Sequence, residues 1–162
     1  MKIFICGFTG AGKTTLLSAM RQKFESDFSY LDLDQLINEN IGDESIADFI
    51  NSKGFQQFRE LERDFIAKFD SKKNFILALG GGALNAQTLT YLSSWKGIFL
   101  NTPFEVCFQR INGDQSRPLS KLSYDELKQL YSERLAYYSK FNTVENAESA
   151  IQLIEKWKLA ST

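Results

Sequence analysis

The sequence predicts an α/β fold, a parallel sheet of five strands with helices on both faces. Short apolar runs alternate with helical patterns along the chain, and strands separated by helix-length connections pair in parallel. The first such run, Ile3-Phe4-Ile5-Cys6, is joined to the first helical pattern by a glycine-rich turn. At 162 residues, 43% apolar and 14% aromatic, the chain suits one well-filled core and is too short for two comfortable ones. Residues 1–162 are therefore read as a single domain.

Residues 2–6 are a continuous apolar strand ended by Gly7, and helix 13–24 follows with Leu16, Leu17 and Met20 at helical spacing. A strand at 30–33 runs into the acidic pair Asp32 and Asp34. Helical patterns then cover 34–40, 45–51 and 55–69. In the last of these Phe55, Phe58, Phe65 and Phe69 form a stripe expected to face the core. The strand at 75–79 is apolar throughout and stops at Gly80-Gly81-Gly82. Helix 86–93, strand 97–100 and helix 103–111 come next. Residues 112–123 are polar, carry Gly113 and Arg117-Pro118 between two helices, and read as a short lid. Helix 124–138 turns Leu127 and Leu130 to the core, 142–144 is a weak strand, and helix 147–158 closes the fold.

Composition excludes several function classes. Lys and Arg total 19 against 20 Asp and Glu, with no basic block, so no nucleic-acid partner is expected and small anions must be held by a few placed cations. Histidine is absent, which removes imidazole bases, histidine triads and most zinc sites. A general base must be a carboxylate, lysine or tyrosine. Cys6 and Cys107 have no CxxC spacing, no leader precedes them, and no apolar run reaches membrane length. A reduced, cytoplasmic protein is the expectation, with no membrane partner and a monomeric state.

Gly7-Phe8-Thr9-Gly10-Ala11-Gly12-Lys13-Thr14 completes a phosphate-binding loop between strand and helix. The glycines let backbone N–H groups curl round a phosphate, Lys13 neutralises charge toward the γ-phosphate, Thr14 offers a hydroxyl to Mg²⁺, and the helix N-terminus adds its dipole. ATP with Mg²⁺ is the expected cofactor pair. Asp32 and Asp34, two apart on a segment read as extended, project to one side and can both face this loop. One suits Mg²⁺ and the other an acceptor hydroxyl, and the plainer reading of Asp34 is a helix cap. Three consecutive glycines after a buried strand imply that something approaches their backbone closely, a substrate or the chain itself in a tight turn.

These segments, with Ser45-Ile46-Ala47-Asp48-Phe49, Phe58-Arg59-Glu60-Leu61-Glu62 and Arg117-Pro118-Leu119, resemble the shikimate kinase family over about residues 3–140. The resemblance implies a three-layer P-loop fold with sheet order 2-3-1-4-5, and transfer of the ATP γ-phosphoryl group to the 3-hydroxyl of shikimate. It implies that Asp34, Arg59, Gly80, Gly81, Gly82 and Arg134 hold shikimate, within a substrate-binding region at about 34–62. Gly10, Ala11, Gly12, Lys13, Thr14, Thr15, Arg110 and Arg117 would hold ATP, and Thr14 and Asp32 the metal. Lys13, Asp34 and Arg117 are the implied catalytic set, with Asp34 orienting the acceptor hydroxyl. Two guanidinium forks suit a carboxylate ligand, although Arg59 and Arg134 are also placed to pair with Glu62 or Glu133. Phe55 stands where the family usually has an acidic residue and Phe141 where a small one is common; both read as packing changes. Residues 142–150 contain no arginine for an adenine ring, so adenine is expected to rest on Arg110 and backbone. The rival readings are a gluconate-type kinase and a non-catalytic nucleotide-binding module.

Overall fold

In the computed structural model, which describes residues 1–114 and 116–161, five strands form one parallel sheet in the order β2-β3-β1-β4-β5. They are β1 (Lys2–Cys6), β2 (Ser29–Asp32), β3 (Phe75–Ala78), β4 (Lys96–Leu100) and β5 (Asn142–Val144). The three central strands are almost wholly buried, because helices cover a parallel sheet on both faces and leave no polar side for alternation to mark. Register pairs Phe4 with Leu77 on one side and with Gly97 on the other. The Gly97 position is kept bare by aromatic packing. A Cβ there would lie 2.4 Å from the Phe141 ring and 2.5 Å from that of Phe4, and the two rings meet edge to face at 4.8 Å. Phe141 is thus a packing residue, as expected from its position.

The helices are α1 (Lys13–Phe24), α2 (Leu33–Ile41), α3 (Ile46–Lys53), α4 (Phe55–Lys68), α5 (Leu89–Leu92), α6 (Phe104–Asn112), α7 (Tyr124–Tyr138) and α8 (Ala147–Leu159). α1 packs on α8, α2 to α4 pack on one another, and α6 packs on α7. Capping boxes at Ser123 and Asn146 start α7 and α8 at the residues their patterns predict. Among the described residues no helix is long and apolar enough to cross a membrane.

Three expectations need correction. The strand expected at 30–33 ends one residue early, because buried Leu33 opens α2 and Asp32 caps it. The helix expected at 86–93 shrinks to Leu89–Leu92. The Asn85 side chain accepts from the backbone of Gln87 and Thr88, and the buried Thr88 hydroxyl donates to the Ala83 carbonyl at 2.5 Å. Short polar side chains there bind the backbone in place of the helix ladder. Of the phenylalanine stripe expected over 55–69, Phe58 and Phe69, the latter just past the end of α4, are buried and Phe65 is half-buried, but Phe55, in the first turn after Gly54, is 47% exposed.

Sheet order determines where a ligand fits. β1 lies between β3 and β4, so connections leaving its carboxyl end and those of its neighbours diverge, opening a crevice above that edge. The glycine-rich turn, Asp32, Gly80 to Gly82, Thr102 and Glu145 all emerge there.

Candidate active site

The turn after β1 is held in conformations that L side chains rarely adopt, with φ of 80° at Gly10 and 99° at Gly12. Gly12 precedes α1 without any side-chain cap, so the first N–H groups of that helix are left for a ligand. Lys13 Nζ donates back to the carbonyls of Gly7 at 2.8 Å and Phe8 at 3.0 Å. Burial pushes the Lys13 pKa down, opposed by the charge of Asp34. The Thr14 hydroxyl donates to Asp32 Oδ2 at 2.8 Å, and Arg110 donates to the Gly10 carbonyl at 2.8 Å. A cavity of about 710 Å³ opens here. Gly10, Ala11, Gly12, Lys13, Thr14, Thr15, Arg110 and Arg117 all line it, with Asp32 and Asp34. Thr102, Pro103, Glu145 and Asn146 line it as well. Thr102 was missed from sequence; its hydroxyl donates to the Ala11 carbonyl at 2.8 Å across 91 residues of chain, a tie no local pattern signals.

Both aspartates reach this cavity, but not as neighbours on an extended strand. Asp32 ends β2, and its Oδ1 accepts from the backbone of Asp34 and Gln35 at 3.0 and 3.3 Å, so Asp32 rather than Asp34 is the cap. Asp34 sits in the first turn of α2, where burial pushes its pKa up and Lys13 pulls against that shift.

The triple glycine also has a different cause from its flexible backbone, since none of the three has a positive φ. What it supplies is room for this chain's own side chains. A Cβ on Gly80 would lie 2.7 Å from Asp34 Oδ1 and 2.9 Å from Glu62 Oε1; on Gly81, 2.3 Å from the Thr9 hydroxyl; on Gly82, 2.2 Å from Arg59 and 2.7 Å from Arg134. Five polar side chains thus converge on a bare main-chain wall.

That wall bounds a second cavity of about 500 Å³, lined by Asp34, Arg59, Glu62, Gly80, Gly81, Gly82 and Arg134, with Phe55 and Phe58 on its apolar side. Exposed Phe55 is therefore a cavity residue and not core. Arg59 pairs with Glu62 and lies 5.9 and 5.5 Å from the rings of Phe55 and Phe58. Glu62 is fully buried and shares the inward face of α4 with Phe58 and Ile66. Burial lifts its pKa to about 7, against the pull of Arg59. Sequence reading treated Glu62 only as a possible surface partner for Arg59, yet a carboxylate four residues from each of two core positions was the available signal. Among the described residues Arg134 forms no ion pair with Glu133. Its guanidinium lies 5.5 Å from the Phe8 ring, and burial lowers its pKa. Among the described residues Arg134 Nη1 and Glu62 Oε1 are buried polar atoms with no hydrogen-bond partner. An unmet buried guanidinium donor beside a cavity suits a site that takes an anion.

The segment 112–123 contains a short 3₁₀ turn at Pro118–Lys121 and tucks Leu119 inward; Gln115, within it, lies outside the described residues. Arg117 Nε donates to Asp114 Oδ2 at 3.0 Å, so its charge is held beside the cavities by its own loop. Thr9, Asp34, Gly81 and Arg117 line both cavities. Among the described residues no group of three acidic, cysteine or histidine side chains could hold a metal. The Thr14 and Asp32 oxygens still fit Mg²⁺, which binds through one or two hard protein oxygens and keeps several waters or phosphate oxygens.

The geometry agrees with what comparison finds. A family model described as shikimate kinase matches residues 9–156. The chain is 34% identical over 139 residues to a shikimate kinase of Persephonella marina, covering 85% of this chain and 83% of that protein. It is 34% identical over 143 residues to a shikimate kinase of Aquifex aeolicus, covering 86% and 83%. Among solved structures, shikimate kinase from Acinetobacter baumannii in complex with shikimate superposes with a TM-score of 0.85 at 29% identity, over 99% of this chain and 93% of that one. Deoxyadenosine kinase from M. mycoides, at 14% identity and a TM-score of 0.59, shares the fold alone.

Proposed function

The chain belongs to the shikimate kinase family, and on that premise we propose how its residues transfer the γ-phosphoryl group of ATP to the 3-hydroxyl of shikimate. One observation carries the reading: the two cavities meet at Thr9, Asp34, Gly81 and Arg117. A phosphoryl group can pass between ligands there without leaving the protein.

The larger cavity takes the nucleotide. The Gly10 to Thr14 backbone and the open N-terminus of α1 cradle its phosphates, and Lys13 exchanges the Gly7 and Phe8 carbonyls for phosphate oxygens. Thr14 and Asp32 would hold Mg²⁺, which would supply charge neutralisation to the phosphates when bound. Arg110 and the Thr102 to Pro103 backbone flank the base. The smaller cavity takes the acid. Arg59 and Arg134 bring two guanidinium charges that Glu62, with its raised pKa, offsets only in part, so the pair keeps a positive charge for a ligand carboxylate, and Arg134 Nη1 gains its missing acceptor. Asp34 accepts the hydrogen bond of the ligand's hydroxyl and aims its oxygen at phosphorus; its upward-shifted pKa makes it a better proton acceptor than an exposed aspartate. Residues 112–123 act as the lid: closure exchanges Asp114 for phosphate as the partner of Arg117 and excludes water. Residues 1–162 act as a single kinase domain. Both cavities are built from one copy of the chain and the ligands are small and polar, so a cytoplasmic monomer suffices. The family match does not favour a gluconate-type kinase or a non-catalytic module.

The test is ADP release with shikimate, gluconate or no acceptor. Release that requires shikimate is expected; release equal under all three conditions overturns the reading.

A second expectation concerns the guanidinium pair. Arg59→Gln or Arg134→Gln should raise the shikimate KM steeply, by the equivalent of about 2–5 kcal/mol, since truncating one side of a buried charge pair strands the other. Nucleotide affinity, measured by calorimetry, should hardly change. Weakened ATP binding with an unaltered shikimate KM would remove both arginines from the acceptor site.

A further inference from the structure

We infer that the Thr9 hydroxyl is a further catalytic group, a neutral donor to the migrating phosphoryl group; the inference rests on the transfer reaction proposed above. The phosphate-loop pattern leaves position 9 free, so phosphate binding makes no demand for threonine there. Three structural observations do. First, Thr9 is one of the four residues common to both cavities, and the others are a carboxylate, a cation and a bare glycine. Second, its hydroxyl lies against Gly81, so close that a Cβ on that glycine would sit 2.3 Å from Thr9 Oγ1 and 2.8 Å from the Thr9 backbone nitrogen. The side chain is therefore seated on a wall rather than swinging in solvent. Third, the hydroxyls of Thr14 and Thr102 bond to protein acceptors, whereas that of Thr9 makes no hydrogen bond among the described residues; Thr15, also without one, is exposed and lines the nucleotide cavity alone. A half-buried, seated and unpartnered donor at the junction of two ligand cavities is pre-positioned for an acceptor that arrives with the ligands.

Phosphoryl transfer supplies that acceptor. As the bond from phosphorus to the bridging oxygen of ATP breaks and the bond to the acceptor oxygen forms, charge spreads over three equatorial oxygens. Lys13 and Arg117 approach as cations, and Thr9 approaches from the Gly81 side with a single O–H. Thr9 neither gains nor loses a proton in the step. It donates a hydrogen bond throughout, and the bond strengthens as charge builds.

Thr9→Val keeps the shape and deletes the hydroxyl; Thr9→Ser keeps the hydroxyl; Thr9→Ala is a second hydroxyl-free variant should valine fold poorly. We expect kcat for shikimate phosphorylation to fall about 10- to 100-fold in the valine and alanine variants and to stay within about threefold in the serine variant, at or below the lower end of the roughly 10²- to 10³-fold that one preorganised donor contributes. Shikimate KM, affinity for a non-hydrolysable ATP analogue and thermal midpoint should stay close to the parent in all three. A valine variant within about twofold of parent kcat overturns the role. So does an equal slowing of the serine and valine variants, which would mark Thr9 as packing for Gly81. A parent without shikimate-dependent turnover would overturn the proposed function and this role together. An active parent beside an unimpaired valine variant overturns the Thr9 role alone.

Discussion

Asp34→Asn is expected to lower kcat by roughly 10²-fold or more while leaving ATP affinity close to the parent, the loss that follows when general-base help and orientation are removed together. The side chain sits in the first turn of α2, at the junction of both cavities, with the Asp32 cap fixing its backbone and the bare Gly80 giving it room. Asparagine keeps the size and one acceptor oxygen, so what disappears is the charge and the ability to take a proton. In a loose transition state the acceptor hydroxyl loses its proton late, and alignment with phosphorus is the larger share of the effect. The fold should not suffer. Burial raises the Asp34 pKa in the folded chain, so the folded state holds the proton more tightly than the unfolded one, and stability falls as pH rises between the two pKa values. The asparagine variant lacks that loss and should melt no lower than the parent at neutral pH. Steady-state ADP release beside calorimetric ATP binding checks the outcome, and an unchanged kcat would remove Asp34 from the chemistry.

Lys13→Ala is expected to fold and to lose turnover by a factor on the order of 10² or more, in the range seen when one electrostatic stabiliser of a transition state is deleted. Among the described residues its ammonium is bonded to the Gly7 and Phe8 carbonyls of its own loop, and Lys13 is not itself a member of the hydrophobic core. Burial already strains the charged form, as the lowered pKa records, so deleting the amine relieves a desolvation cost and leaves two carbonyls facing an open cavity. Circular dichroism and a melting curve test the first half of the expectation, and ADP release the second. A folded variant with near-parent turnover would leave the loop without a catalytic lysine.

Much of the fold was legible because its signals are local. The apolar runs of β1, β3 and β4, the helical spacing of α1 and α7 and the capping residues Ser123 and Asn146 act within a few residues of themselves. Where reading slipped, a side chain bound backbone in competition with the pattern. Asp32 took over the start of α2, and Asn85 with Thr88 shortened α5. The parallel sheet and its five strands came from alternation alone; the strand order rested on resemblance, since no residue spacing states which strands touch.

By itself the sequence determined that the chain is a parallel α/β protein with a phosphate-binding loop between its first strand and helix, because strand, glycine turn and helix N-terminus are contiguous and need only local backbone conformations. It also determined that no histidine takes part. Only the tertiary structure decided why Gly80 to Gly82 must be bare, that Glu62 is buried beside Arg59, that Phe55 faces a cavity, and that Thr9 and Asp34 stand where the two cavities meet. Apart from the Arg59–Glu62 pair, which lies within α4, each of these is a distance between segments far apart in the chain. Periodicity specifies which face of an element turns inward, whereas the gap between two such faces is fixed by the packing of all the others.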